Sequence, residues 1–477
     1  MDDGHHLAEI ARWRLEAKEE DSTRYFYQLP DFSTIEDGSS CYVIGRKGAG
    51  KTAIAEHFKS LVSYDFFVRT LSFKNFPFNE LYKLEDRKFT TPSQYTTIWK
   101  YIIYSALCNM MAMNERLDPK VTALLRDFFD FDLEKALAPS VARIIDGSFD
   151  LNIFGLGGKV GLKKGIEPNP HSWADRVDIL ERLIDSHIDN SKYYVIFDEL
   201  DEDYEDILNV DRKSKYFELL IGLFKAVHDI RGKFRNPNHV RPIVFLRDDI
   251  YELIQNNDKN KWDDLSVNLR WSPDTLSNLL AFRISRAIKS NGHLLSFQDA
   301  YQTTFREETV RYGYRTRHRR PILTHILNRT LMRPRDLVSY MRECAKIARH
   351  RGVDKISGEI VKKADEEYSQ RFRKEMIDEI QSILPYIPEV LDIFSKMRKQ
   401  TFSFSQFQQE YKAASQTITN ALDFHTVCKL LFHFSVIGNQ PAQQNTRIFR
   451  YLSPNAKINF TEIGIIHPGL LKALQIN

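Results

Sequence analysis

The octapeptide "GRKGAGKT", Gly45 to Thr52, fits the spacing G-x-x-x-x-G-K-[ST]. Cys41-Tyr42-Val43-Ile44 before it is a short apolar, β-prone run, and "TAIAEHFKSLV" after it has apolar residues at helical spacing. The order is therefore strand, loop, helix. Gly45, Gly48 and Gly50 allow the backbone to turn its N–H groups toward an anion at the positive end of that helix. Lys51 is positioned to reach β- and γ-phosphates, and the Thr52 hydroxyl to ligate Mg²⁺. The cradle expected from this spacing comprises Gly45, Arg46, Lys47, Gly48, Ala49, Gly50, Lys51, Thr52 and Ala53.

Hydrolysis of a nucleotide needs a carboxylate for the metal and a base for water. "KYYVIFDE", Lys192 to Glu199, supplies both: five apolar or aromatic residues make a buried strand, and its C-terminal end delivers two carboxylates. Asp198 is the expected Mg²⁺ residue and Glu199 the residue that polarises the attacking water. ATP and Mg²⁺ are the ligands these two motifs call for.

The remainder of the chain sets the context. Its 477 residues, 42% of them hydrophobic, suit about three domains of ordinary size. Cys41, Cys108, Cys344 and Cys428 are far apart and form no CxxC pair, which suggests neither a disulfide framework nor a zinc site and fits a reducing cytoplasm. The start, "MDDGHHLAEIARW", lacks the features of a secretory signal, and no apolar run is long enough to span a bilayer, so no membrane partner is expected. A net charge of +4 is too small to argue for nucleic acid by itself. Charge is unevenly distributed, with "DELDEDYED" at Asp198 to Asp206 and "RYGYRTRHRR" at Arg311 to Arg320.

Further strands are expected at Tyr64 to Phe73, Arg241 to Arg247 and Val267 to Arg270, alternating with helices at Ser93 to Met113, Ser172 to Ile188 and Ser214 to Ile230. Such alternation implies an α/β fold with a parallel sheet and ligand at the carboxyl ends of the strands. The order of the motifs resembles the ASCE division of P-loop ATPases, the P-loop NTPase group that includes AAA+ proteins. That resemblance places a sensor at the tip of the strand after Asp198, here Arg247, followed by Asp248 and Asp249. AAA+ proteins usually carry Asn there, whereas STAND-type signalling ATPases carry Arg. Pairing of Arg247 with its neighbouring aspartates is the alternative. Past Ser272-Pro273-Asp274, a helix start with Pro at N1, the pattern reads as all-helical. "RPRDL", Arg333 to Leu337, resembles the sensor 2 region of AAA+ and origin-initiator-like ATPases, which makes Arg335 a candidate to reach back to nucleotide. A role confined to its own helix is equally open. Arg270, Lys261 and Arg333 are three possible arginine-finger-like groups.

The expected organisation is an N-terminal helix and linker (1–38), an ATPase core (39–275), a helical lid (276–350), a connecting helix (351–384) and a terminal module (385–477). Within the core, 148–165 reads as a hairpin bearing Lys159, Lys163 and Lys164, suited either to a partner chain or nucleic-acid backbone or to simple closure over the domain. In the terminal module, helices at Glu389 to Lys399, Ser405 to Ala414 and Phe424 to Phe434, with strands near Thr446 to Leu452 and Lys457 to Thr461, resemble a winged helix-turn-helix. Its third helix is poor in groove-reading side chains, which favours protein contact, while Arg447 and Arg450 keep nucleic acid open.

"GRKGAGKTA", "VIFDELDED", "FLRDDIYE", "RPRDLVSYM" and "IHPGLLKAL" together resemble a bacterial family of P-loop ATPases with AAA+/STAND and origin-initiator-like affinities. That resemblance implies a role in antiphage defence beside a separate effector protein. No nuclease, protease, deaminase or NADase pattern occurs in the chain, so a destructive activity would reside in another protein. Two function classes follow: an ATP-driven, oligomerising regulatory switch acting on an effector, or a DNA-binding initiator or loader-like ATPase. A nucleotide-binding scaffold with negligible turnover is a third, and Glu199 argues against it.

Overall fold

The computed structural model describes residues 5–74, 76, 78–82, 94–129, 173–201, 210–235, 239–289, 292–312, 318–416, 418–441 and 446–476. The expected hairpin at 148–165, with Lys159, Lys163 and Lys164, lies outside them. Two compact units make up the chain: residues 28–269, and residues 1–27 together with 270–477.

Residues 28–269 are built on a five-stranded sheet of β1 (Tyr42–Ile44), β2 (Phe66–Ser72), β3 (Lys192–Asp198), β4 (Val240–Leu246) and β5 (Ser266–Asn268). The strand order is β2-β3-β4-β1-β5 and every pairing is parallel. Parallel strands need crossovers, and the intervening helices bury the sheet on both faces. Six of the seven residues of β3 are accordingly buried. The Gln94–Ala112 helix is apolar nearly all round, as suits a helix enclosed by protein. It packs on the Val210–Lys233 helix, and Trp99 Nε1 donates to the Leu219 carbonyl at 2.9 Å. Gly222 permits that approach, because a Cβ there would meet Tyr95 Cβ at 2.7 Å and the Tyr95 backbone carbon at 3.1 Å. On the next layer, Tyr42 stacks on Phe224 with centroids 4.5 Å apart and donates its hydroxyl to the Phe224 carbonyl at 2.8 Å.

In the other unit, the His5–Arg12 helix packs against the Pro273–Ile288 and Pro334–His350 helices, burying Leu7 and Ile10, with Trp13 just beyond. Arg283 lies 4.6 Å from the Trp13 ring and 4.8 Å from that of Tyr25, and pairs with Glu20. The Pro273–Ile288 helix starts where Ser272-Pro273-Asp274 suggested, and Ser272 caps it through a capping box with Thr275. The all-helical expectation for this region needs correction. β6 (Thr309–Tyr312) and β7 (His318–Pro321) form an antiparallel ladder. "HRRP" has no apolar alternation, so its strand character came from pairing rather than pattern.

Beyond the Gly358–Ile380 helix lie helices Ile387–Met397, Phe404–Ser415 and Phe424–His433, close to their expected spans. The strands differ from expectation: β8 (Thr401–Phe402), β9 (Ile437–Gln440) and β10 (Ile463–Ile466) form an antiparallel sheet in the order β8-β10-β9. Of the stretch expected as a strand near Thr446 to Leu452, Ile448 makes an isolated bridge to Asn439. The terminal segment hooks onto the Gly358–Ile380 helix. Ser369 Oγ donates to the Gly469 carbonyl at 2.6 Å and accepts from the Ala473 N–H at 2.9 Å. All four cysteines are free and buried, and burial pushes the Cys41 thiol up to about 12. No helix of the described residues is long and apolar enough to cross a membrane.

Candidate functional site

β1 and β3 end on the same edge of the sheet with β4 between them, so the Gly-rich loop and the paired carboxylates share one rim. The loop is pinned to β4 where the Gly45 N–H donates to the Leu246 carbonyl at 3.1 Å. Gly48 and Gly50 take φ of 80° and 109°, a region costly to any residue with a Cβ, and Gly50 caps the Lys51–Ser60 helix. Lys51 arches back over the loop, its Nζ donating to the carbonyls of Gly45 at 2.6 Å and Arg46 at 3.1 Å. Burial draws its ammonium below the ordinary lysine range, against the opposing pull of Asp201, Asp198 and Asp248. A partly desolvated ammonium held by two neutral carbonyls is well disposed to exchange them for an anion.

Asp198 closes β3 at 3% exposure. Burial, then the charge of Glu199, pushes its carboxyl up to about 6, while the Glu199 N–H, Lys51 and the Thr52 hydroxyl pull the other way. The Glu199 N–H donates to Asp198 Oδ1 at 2.9 Å, but the buried Oδ2 has no hydrogen-bond partner. An orphaned carboxylate oxygen facing a threonine hydroxyl at a phosphate loop fits a hard cation, and Asp198 and Thr52 are the residues that would hold Mg²⁺.

Glu199 adopts φ 59°, uncommon for a residue with a side chain. Its Oε2 accepts a hydrogen bond from Ser72 Oγ at the end of β2. Sequence reading missed Ser72. The available signal was position, since the C-terminal ends of neighbouring parallel strands converge on one rim. Arg247 follows β4 and is 9% exposed. It bonds Asp249 through Nε at 3.0 Å and Nη2 at 2.6 Å, and its Nη1 lies 3.4 Å from Asp201 Oδ2. Asp201 thus stands between Arg247 and Lys51, another participant the sequence reading did not single out.

Of the remaining candidates, Lys261 belongs to the 28–269 unit and the others to the other unit. Arg270 and Lys261 are exposed, Lys261 with Asp258 at 2.8 Å. Arg335 is the second residue of the Pro334–His350 helix, half-buried in the other unit. Arg333, 3% exposed, pairs with Asp336 at 2.8 Å, Glu379 at 3.6 Å and Glu375 at 3.8 Å, which anchors it within its own unit. Arg447 is exposed and Arg450 half-buried in the terminal region.

A parallel five-stranded sheet in this order, with a phosphate loop after β1 and a carboxylate pair after β3, is a P-loop NTPase fold of the ASCE/AAA+-like arrangement. Residues 274–377 match a family described as FunZ-associated C-terminal helical domain. The chain is 22% identical over 492 aligned residues to a transposon gamma-delta 80.3 kDa protein of Escherichia coli (strain K12), covering 95% of this chain and 65% of that one. It therefore spans just under two thirds of that relative's length. Among solved structures it is similar to the ORC1 protein of Aeropyrum pernix in complex with DNA, at 10% identity and TM-score 0.41 over 97% of this chain and 96% of that one. The ORC2 protein of Aeropyrum pernix, solved as ADPNP–ADP complexes, is similar at 12% identity and TM-score 0.38 over 96% of both chains. Scores of this size establish no shared activity.

Proposed function

We propose that this chain binds ATP with Mg²⁺ and hydrolyses it. The observation that carries the reading is the orphaned Asp198 Oδ2 beside Lys51 and Thr52 at the shared ends of β1 and β3. The phosphates would lie along the loop from Gly45 to Ala53, and the Lys51 ammonium would leave the Gly45 and Arg46 carbonyls for phosphate oxygens. When bound, the metal supplies charge neutralisation for the transferring phosphoryl group. Glu199 accepts the proton of the attacking water once its carboxylate leaves Ser72. Arg247 senses the nucleotide from the tip of β4, exchanging one of its aspartates for phosphate.

The finer reading is a regulatory switch: the protein oligomerises, and its nucleotide state controls a separate effector. A role in bacterial antiphage defence is carried by the resemblance of the motifs. Turnover by the purified protein, compared with Lys51→Ala and Glu199→Gln and followed by size-exclusion chromatography in ATP, tests both levels. Both variants are expected to lose at least about 100-fold in kcat, with a nucleotide-dependent size change in the wild type. Turnover that survives in both variants would overturn the site assignment.

A further inference from the structure

Asp249 and Asp201 both hold the Arg247 guanidinium, but unequally. Asp249 takes Nε at 3.0 Å and Nη2 at 2.6 Å, a two-point grip by a residue close in the chain, and its Oδ1 also accepts the Ile250 N–H at 3.1 Å. Asp201 reaches Nη1 from Oδ2 at 3.4 Å. Its side chain is 32% exposed, against 12% for Asp249. Bidentate, charge-assisted pairs are the stronger kind, and exposure weakens an ion pair. Asp201 is therefore the partner that Arg247 gives up at the smaller cost.

The fold nonetheless sets where Asp201 stands. Glu199 turns the chain at φ 59° as β3 ends, and Leu200, 1% exposed, is anchored where its carbonyl accepts the Tyr216 hydroxyl at 3.1 Å. Asp201 follows directly. Burial holds the Lys51 ammonium below the ordinary lysine range, and Asp201 is the foremost of the charges opposing that shift, ahead of Asp198 and Asp248. One carboxylate thus serves cations on two elements: Lys51 opens the helix after β1, and Arg247 follows β4. In a phosphate loop the inner phosphates rest largely on backbone N–H groups, whereas a terminal phosphate draws on side-chain cations. A diphosphate and a triphosphate therefore differ in whether they compete with Asp201. We propose that Asp201 is a specificity-determining residue, a surrogate anion for the terminal phosphate that sets the ratio of triphosphate to diphosphate affinity. The proposal rests on the nucleotide reading of the loop. With a nucleoside diphosphate bound, the Asp201 contacts stay in place; with a triphosphate, Asp201 gives up Arg247 and remains a like charge beside the ligand.

The test is isothermal titration calorimetry of the full chain, in Mg²⁺, with ADP and with the non-hydrolysable triphosphate ADPNP. Asp201→Asn keeps a hydrogen-bond acceptor for Arg247 but removes the charge. It raises ADPNP affinity by about tenfold and leaves ADP affinity within about threefold of wild type. Asp201→Glu keeps the charge, and its ratio of the two affinities stays within about threefold of the wild-type ratio. Asp127→Asn, an exposed change on the Pro119–Phe129 helix, moves neither affinity. ADP binding by each variant shows that its site is folded. Equal gains for both ligands, an unchanged ratio in Asp201→Asn, or an equal shift in Asp127→Asn would each overturn the inference and leave the nucleotide reading standing. So would weaker ADPNP binding by Asp201→Asn, the mark of a carboxylate that helps to hold the metal. Wild-type protein that binds neither ligand would overturn both.

Discussion

A carboxyl pushed up to about 6, beside a lysine ammonium that burial also weakens, leaves the candidate site with two charges poorly served by their surroundings. The folded value for Asp198 lies above the ordinary 3.8, so folding favours its protonated form. That contribution is fully present below 3.8 and is lost as pH rises through about 6. Above that, the ionised carboxylate costs the fold on the order of 2 to 3 kcal/mol. Asp198→Asn should therefore raise the unfolding free energy of the ligand-free protein by about that amount at about pH 7.5 and barely change it below about pH 4. Urea titrations at the two pH values measure the difference, and equal effects at both would show that the carboxylate is not strained. At this scale the sequence makes much of the candidate site legible. Gly45 to Thr52, Asp198 and Glu199 are legible because strand, loop and spacing are local. Ser72 and Asp201 are not, because what brings them to the rim is strand order, which no local pattern encodes.

Between elements, side-chain volume decides. The Gln94–Ala112 and Val210–Lys233 helices meet where Gly222 faces Tyr95. Alanine is the better helix former by roughly 1 kcal/mol, yet its methyl would press on Tyr95 Cβ and backbone rather than on a flexible tip. Gly222→Ala is expected to destabilise the 28–269 unit by about 1 to 3 kcal/mol, read as a lowered denaturation midpoint; an increase would mean that the helices can separate at little cost. The long helices and β1 to β4 were readable because their apolar periodicity is strong. Where pattern and pairing disagree, pattern misleads. "TRIFRYL" is rich in β-prone residues but contributes one bridge at Ile448, whereas "IGNQ" and "IGII" lack alternation and form β9 and β10 through ladder hydrogen bonds and packing. β6 and β7 escape notice for the related reason that their charges hide a strand.

For the chain as a whole, the terminal hook ties residues 385–477 to the rest of their unit. A Cβ at Gly469 would collide with the Arg329 carbonyl and meet the Phe372 ring at 3.0 Å. Gly469→Ala should therefore unseat the hook, lowering stability by about 2 to 3 kcal/mol and exposing the Gly358–Ile380 helix to hydrogen exchange. Exchange confined to the last few residues would instead mean that the hook decorates the unit without supporting it. The other long-range tie has a different consequence. Leu7, Ile10 and Trp13 find their cover on helices that begin at Pro273 and Pro334, after the whole of the 28–269 unit. At about 5–20 residues per second the ribosome needs roughly tens of seconds to make the intervening segment. During that interval the P-loop unit is free to fold while the apolar face of the first helix waits uncovered. The nascent protein thus has a built-in opportunity for chaperone capture, one that closes only as the later helices emerge.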